Sequence, residues 1–369
     1  MRCSLPAINP FSVDAAERTQ LRISCYCFVG SCREERVTIL TDTDIYQSRV
    51  WSEVTELTEN LYPGWMRRIK KIMGGPPERS KYLFDLWVII ANLFRYDVVI
   101  TGNIKTAQIL GLVRSILGLK SPKHVVLELM LDEQRESLKW KFKRAIQKIL
   151  FSSIDLIFVS SKSEIATYAE RLKLPPERFR FLPFHTDIVS PVRISSHKGY
   201  ILSAGKTGRD FDTLLRAAEG MDVKVVIVSD QYHAQSLKVP QNVSLLVDIP
   251  YEDYLKLLRE CYFVVVPLCS LVKSTGQVVI LEAMGLGKPV IATETVGTID
   301  YIQHGVNGLL VPVGDADALR AAMINLKTDP LLYDRLATNG LDSVCKYHTF
   351  DAYVSAILQE TKMLRVHAN

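Results

Sequence analysis

The sequence predicts an α/β protein built from two domains with parallel sheets, and three observations carry that prediction. Short β-branched runs alternate with longer segments of helical periodicity, the signature of parallel α/β units. The alternation runs through the first half of the chain and restarts near residue 198, so a second Rossmann-like domain begins there. Finally, 369 residues with 48% hydrophobic and 23% charged content supply enough chain for two domains of average size.

In the front half, strands are expected at Leu21 to Val29, Arg36 to Leu40, Asp97 to Thr101, His124 to Leu129, Leu156 to Val159 and Phe179 to Pro183, with helical patterns between most of them. In the back half the order is strand Tyr200 to Ala204, helix Asp212 to Glu219, and strands Val223 to Val228 and Val243 to Val247. It continues with helix Tyr251 to Glu260, strand Phe263 to Pro267, helix Val278 to Leu286 and strand Pro289 to Thr293. A long helix, Thr349 to Val366, closes the chain with no strand after it. The domain boundaries expected from this pattern are 1–195, 196–348 and a terminal helix at 349–369.

Composition excludes disorder, collagen-like repeats and a disulfide miniprotein. The longest apolar runs, Leu86 to Phe94 and Tyr262 to Leu268, fall short of the roughly 18 to 20 residues of a bilayer crossing. The first twenty residues lack a basic start followed by an apolar core, so a cytoplasmic protein is expected. Seven cysteines, with no CxxC and only Cys25 and Cys27 close together, read as buried reduced thiols. The formal charge of +5 is uneven. Residues 1–195 carry 29 Lys+Arg against 21 Asp+Glu, a surplus of +8, while the remainder carries 16 against 19, or −3. A basic front half suits nucleic acid, an anionic membrane or a phosphorylated substrate. Two basic stretches, 65–73 and 139–150, place Trp65, Ile69, Ile72 and Trp140, Phe142, Ile146, Ile149 at helical spacing. They fit either surface helices with buried apolar faces or docking on an anionic membrane. Nucleic acid is disfavoured, because no recognition signature accompanies the charge.

The segment Ala204–Gly205–Lys206–Thr207–Gly208 follows a strand but lacks the spacing of a P-loop, since position 200 is Tyr and residues 200–203 are the strand itself. What remains is a small-residue turn that brings backbone amides, Lys206 and Arg209 to the carboxyl end of a parallel sheet, where anionic ligands bind. In the stretch 267–297, a strand ends at Pro267, a polar turn carries Ser274, Thr275 and Gly276, and a helix starts near Gln277 and Val278. The start of that helix offers free N–H groups and a positive dipole end to a phosphate. Glu282, about one and a half turns in, is placed to accept hydrogen bonds from a diol such as ribose. There is no His or Cys cluster with ligand spacing, so no metal and no cofactor is implied.

Several stretches in order resemble the retaining glycosyltransferases of family 4. They are Val159 to Ile165 with Leu172 to Asp187, the Gly205–Lys206 turn with Arg209–Asp210, Leu281 to Thr293, and His304 to Pro312. The resemblance covers about residue 97 to the end, and residues 199–345 look like that family's donor-binding domain. It implies the GT-B architecture of two facing Rossmann-like domains, with the C-terminal helix packing back on the N-terminal domain. It also implies transfer of a sugar from a nucleotide diphosphate donor to an envelope polysaccharide, glycolipid or lipid-linked acceptor.

Carried over residue by residue, Lys206 and Arg209 resemble the basic pair on the donor diphosphate, and Glu282 resembles the ribose-binding second acid of E-x7-E. The first acid falls on Ser274, a departure that bears on the identity of the sugar and on activity. Gly276 and Gln277 would present amides to the donor, and Gly297, leading to Asp300, takes the place of a family glycine turn. In the front domain, Gly30 to Glu35 is not obviously the family's glycine-rich loop. Glu128 stands nearest the family's strand-end His, with His124 at the strand's start, and Thr101–Gly102–Asn103 is a candidate wall of the same cleft. Two rivals remain: a nucleotide-sugar epimerase or hydrolase drawing on Asp132, Glu133 and His124, and a non-catalytic nucleotide-sugar-binding partner.

Overall fold

The computed structural model describes residues 37–43, 48–72, 78–131, 138–235, 237–269 and 274–366. Two six-stranded parallel sheets organise them. The front sheet contains β1 (Ile39–Thr41), β2 (Thr55–Leu57), β3 (Val98–Thr101), β4 (Lys123–Val126), β5 (Leu156–Val159) and β6 (Phe179–Phe181), in the order β2-β1-β3-β4-β5-β6. The back sheet contains β7 (Ile201–Ala204), β8 (Val225–Ser229), β9 (Val243–Val247), β10 (Val264–Val266), β11 (Val290–Thr293) and β12 (Leu309–Val311), in the order β12-β11-β10-β7-β8-β9. Central strands such as Val98–Thr101 and Ile201–Ala204 are buried along their whole length. Burial on both faces is what a continuous apolar run, rather than an alternating one, encodes.

The expected strands in the described residues are present, with ends that differ from the expected ones by at most three residues. Two others were not anticipated. β2 is a short, half-buried edge strand, and β12 lies inside the 304–312 stretch that attracted notice only as a motif. The expected strand at Leu21 to Val29, the segment Gly30 to Glu35, and residues Cys25, Cys27, Asp132 and Glu133 lie outside the described residues. Cys261 is a buried free thiol, whereas Cys269 is exposed and Cys345 is disulfide-bonded, which corrects the expectation of uniformly buried reduced thiols.

The helix Phe350–Val366 crosses back to the front sheet. Tyr353, Val354 and Ile357 are buried among Ile39, Trp51, Val98 and Val125. Each such fully buried side chain contributes about 1.5 to 3 kcal/mol, so the last residues of the chain help hold its first described strand. Among the described residues, no helix is long and apolar enough to cross a membrane.

Each strand order reverses once. In the back sheet the chain runs outward through β7, β8 and β9, then returns to β10 on the other side of β7. In the front sheet the reversal falls between β1 and β3. Loops leaving the carboxyl ends of the two strands at a reversal diverge and leave a crevice, and ligands of open α/β sheets bind there.

Candidate active site

At the back reversal, the loops after β7 and β10 meet. Asp210 N–H donates to the Pro267 carbonyl at 3.1 Å and Cys269 N–H to the Gly208 carbonyl at 3.0 Å. Gly205 has φ +123°, and a Cβ there would lie 2.3 Å from the Arg209 guanidinium. Glycine is therefore the residue that lets Arg209 fold over its own turn. That guanidinium donates to the Ala204 carbonyl at 2.8 Å and the Thr207 carbonyl at 3.0 Å, and burial lowers its pKa to about 10. Lys206 is exposed at the tip of the same turn. The arrangement places one cation in solvent and a second beneath it.

Facing this turn are Ser274 and Thr275, both buried. The Ser274 hydroxyl accepts from the Gln277 amide. Gly276, with φ +99°, caps the helix Gln277–Gly285 and offers no side chain to its first N–H groups. Those donors are left for an anion, with the helix dipole behind them. Val278 is half-exposed beside them. Gly297 fits because a Cβ there would come within 2.5 Å of Thr275 N and 2.7 Å of Thr275 O. The backbone after β11 thus presses directly on the Ser274–Thr275 turn, which gives the Gly297 signal its physical meaning.

Glu282 is fully buried. Its Oε1 accepts from the Tyr251 hydroxyl at 2.6 Å and its Oε2 from the Tyr254 hydroxyl at 2.7 Å. Burial raises its pKa, and the two hydroxyls pull it back. Neither tyrosine had a role in the sequence reading, although Tyr251 opens a helix and Tyr254 follows at i+3, which sets both on one face.

The front reversal has a different chemistry. A cavity of about 410 Å³ is lined by Tyr82, Gly102, Asn103, Lys105, Glu128 and Met130, among others, so of the expected wall Gly102 and Asn103 face it, while Thr101 is buried in its strand. Asn103 caps the helix Ile104–Leu117. Glu128 is exposed at the rim, in the left-handed region at φ +52°, and accepts from the Tyr353 hydroxyl of the terminal helix. His124 is fully buried in the sheet, with Nε2 3.0 Å from Thr101 Oγ1. Burial holds it neutral, its pKa lowered to about 3, so it is a core residue and offers nothing to the cleft. Asp42, at the end of β1, was missed. Its Oδ1 accepts from Gly102 N–H at 2.7 Å, Oδ2 finds no partner among the described residues, and burial raises its pKa to about 6.

The two halves are joined through the segments that follow β5, β6 and β11. Asp300 Oδ2 accepts from Ser161 Oγ at 2.9 Å and Lys162 N–H at 2.8 Å, at the start of the helix Lys162–Leu172. The Tyr301 hydroxyl donates to the Ser160 carbonyl at 2.8 Å and accepts from Phe184 N–H at 3.1 Å.

Two parallel α/β sheets bridged in this way, with a terminal helix returned to the first, define the GT-B fold. HepE of Anabaena, solved in complex with UDP-glucose, superposes over 88% of this chain and 99% of its own, with TM-score 0.61 and 14% identity. Residues 208–329 match the family described as glycosyl transferases group 1. The lipopolysaccharide core biosynthesis glycosyltransferase LpsE of Rhizobium meliloti is 35% identical over 81 residues, 22% of this chain and 24% of LpsE. The amylovoran biosynthesis glycosyltransferase AmsK of Erwinia amylovora is 37% identical over 82 residues, 21% of this chain and 20% of AmsK. The chain thus spans about a fifth to a quarter of the length of these two relatives.

Proposed function

We propose that the protein is a retaining, metal-independent glycosyltransferase that moves a hexose-type sugar from a nucleotide diphosphate sugar to an envelope polysaccharide, glycolipid or lipid-linked acceptor. The observation that carries this reading is the convergence at the back reversal of Lys206, Arg209 and the glycine-capped start of the helix Gln277–Gly285. Breaking the bond between sugar and diphosphate places negative charge on the departing phosphate. Two cations and aligned N–H dipoles stabilise it in place, the work that a metal does elsewhere. Gly205 and Gly276 let the backbone approach, Ser274, Thr275, Gln277 and Val278 line the sugar end, and Glu282 takes the ribose. Retention follows from the family resemblance: the acceptor hydroxyl attacks the anomeric carbon on the face the diphosphate leaves, and a phosphate oxygen takes its proton. Glu128 forms part of the acceptor wall. LpsE and AmsK act in lipopolysaccharide and amylovoran biosynthesis by name, which supports a glycan acceptor.

A peripheral position on the inner face of the cytoplasmic membrane fits the front half. Trp65, Trp87 and Phe94 on one side, and Phe142, Ile146 and Ile149 on the helix Leu138–Phe151, are exposed among basic residues. The helix Ile104–Leu117 packs against both the helix Glu78–Asn92 and the helix Leu138–Phe151 and adds exposed Ile116 and Leu117. Exposed aromatic and aliphatic side chains among lysines suit an anionic lipid surface.

Incubation with UDP-, GDP- and ADP-sugars, with and without membrane extract, tests the reading. Nucleotide release only with extract is expected. Acceptor-independent turnover would favour an epimerase or hydrolase, and binding without turnover a non-catalytic partner. Failure to sediment with anionic liposomes at low salt would remove the membrane component.

A further inference from the structure

We propose that Tyr251 is a displaceable latch on Glu282: its hydroxyl holds one carboxylate oxygen in the free protein and yields it to a ribose hydroxyl of an incoming nucleotide, while Tyr254 holds the other oxygen throughout. This rests on the reading of Glu282 as the ribose acceptor.

The two bonds are nearly equal in length, 2.6 Å from Tyr251 and 2.7 Å from Tyr254, but the two tyrosines differ in exposure. Tyr254 is 9% exposed and packs in the core of the back domain. Turning it away would open a void and strand a hydroxyl away from water. Tyr251 is 47% exposed and is the first residue of the helix Tyr251–Glu260, so its hydroxyl passes to water at small cost. Glu282 itself cannot move toward a ligand. It is fully buried, and its helix is buried along nearly its whole length. Of the two partners, Tyr251 is the one that can give way. Among the described residues no cation pairs with Glu282, so these hydroxyls stand in for its lost hydration. A nucleotide diol has the same donor chemistry and replaces the outer one without leaving the carboxylate unsatisfied.

The signs of two substitutions separate a latch from a fixed support. In Tyr251→Phe the free protein no longer makes the bond that binding has to break, so nucleotide affinity should rise by roughly fivefold to tenfold. In Tyr254→Phe the carboxylate loses a support used in both states, and affinity should fall by about tenfold or more. Ribose binding needs Glu282 ionised, and both hydroxyls favour that form. Its acid limb in a pH titration should therefore move to higher pH in Tyr251→Phe. The measurement is calorimetric titration of the purified full chain with UDP, GDP and ADP in turn, with thermal unfolding of each variant alongside. Tyr251→Phe keeps the ring at a half-exposed position and decides the question even if Tyr254→Phe fails to fold. Weaker or unchanged nucleotide binding in Tyr251→Phe overturns the latch. Glu282→Gln guards the reading beneath: binding as tight as wild type would overturn the ribose assignment and the latch with it, whereas loss in Glu282→Gln with a flat Tyr251→Phe overturns the latch alone.

Discussion

The two reversals in strand order share one topology and carry opposite chemistry. At the back, between β7 and β10, the chain supplies Lys206, Arg209 and the first N–H groups of a helix, which its cap Gly276 leaves without a side-chain partner. At the front, between β1 and β3, it supplies carboxylates: Asp42 beneath the Gly102 backbone and Glu128 at the rim of the cavity. The sheet fixes where a crevice opens, while the loops decide the sign of what it holds. On the proposed function, a donor end that stabilises a leaving phosphate and an acceptor end with proton-accepting groups would be complementary halves of one transfer reaction.

The largest expected effect breaks this comparison at its glycines. Both reversals use a glycine at a close approach, but the atoms approached differ. A Cβ at Gly297 meets Thr275 backbone N at 2.5 Å and O at 2.7 Å, whereas at Gly102 it meets the Thr43 hydroxyl at 2.2 Å. Backbone cannot step aside and a side chain can. Gly297→Ala should lower stability by about 2 kcal/mol or more and cut donor-dependent turnover by about a hundredfold. Gly102→Ala should cost only about 1 kcal/mol, the Thr43–Asp42 hydrogen bond. Thermal unfolding and steady-state kinetics of the pair decide, and equal effects would mean that neither approach is as rigid as its geometry.

Next come the cations. Arg209→Ala and Lys206→Ala should each weaken donor binding or turnover by more than about tenfold. Only Arg209→Ala should also lower thermal stability, because its guanidinium ties together the Ala204 and Thr207 carbonyls whereas Lys206 is exposed. Unchanged kinetics in both would remove the diphosphate assignment.

Asp42 gives a smaller effect with a clear sign. Its folded pKa, raised to about 6 from 3.8 by burial, means that the unfolded chain releases this proton first. Its contribution therefore favours the folded state most at low pH and declines as pH rises from about 4 to 6. Asp42→Asn removes that titration. The stability difference between wild type and variant should shift by up to about 3 kcal/mol across the window, against the wild type at higher pH. A difference that stays flat from pH 4 to 7 would show that the carboxyl is hydrated.

The back reversal was legible from sequence because its signals are local. Gly205, Lys206, Arg209, Gly276 and Glu282 sit in short stretches that carry their turn chemistry and helix start with them. The front reversal was legible only in part, at Gly102, Asn103 and Glu128, because the rest of its meaning is non-local. Asp42 acquires a role only when β1 pairs with β3 and puts its carboxylate on Gly102, sixty residues away. Tyr251 and Tyr254 were missed for the same reason, since their partner lies 31 and 28 residues further along. His124 misled in the opposite direction: a lone polar residue in a strand run marked the core, where Thr101 meets its Nε2 and its Nδ1 finds no partner among the described residues. The edge strand β2, three half-buried residues long, has too little pattern to announce itself.

Glu128 offers the finest test of the contrast between the two ends. Its left-handed backbone is unusual for a side chain of this size, and such conformations persist where surrounding structure enforces them. Here the Tyr353 hydroxyl, brought back by the terminal helix, holds the carboxylate at the cavity rim. Glu128→Gln keeps an acceptor for Tyr353 and removes the charge. If the front reversal serves the acceptor and the back one the donor, nucleotide affinity should stay within about twofold while the acceptor's KM rises by roughly threefold to tenfold. Calorimetry with the nucleotide and transfer kinetics at varied acceptor separate these terms. A parallel loss in both would make Glu128 a brace between terminal helix and front sheet, and the acceptor wall would then rest on Gly102, Asn103 and Lys105 alone.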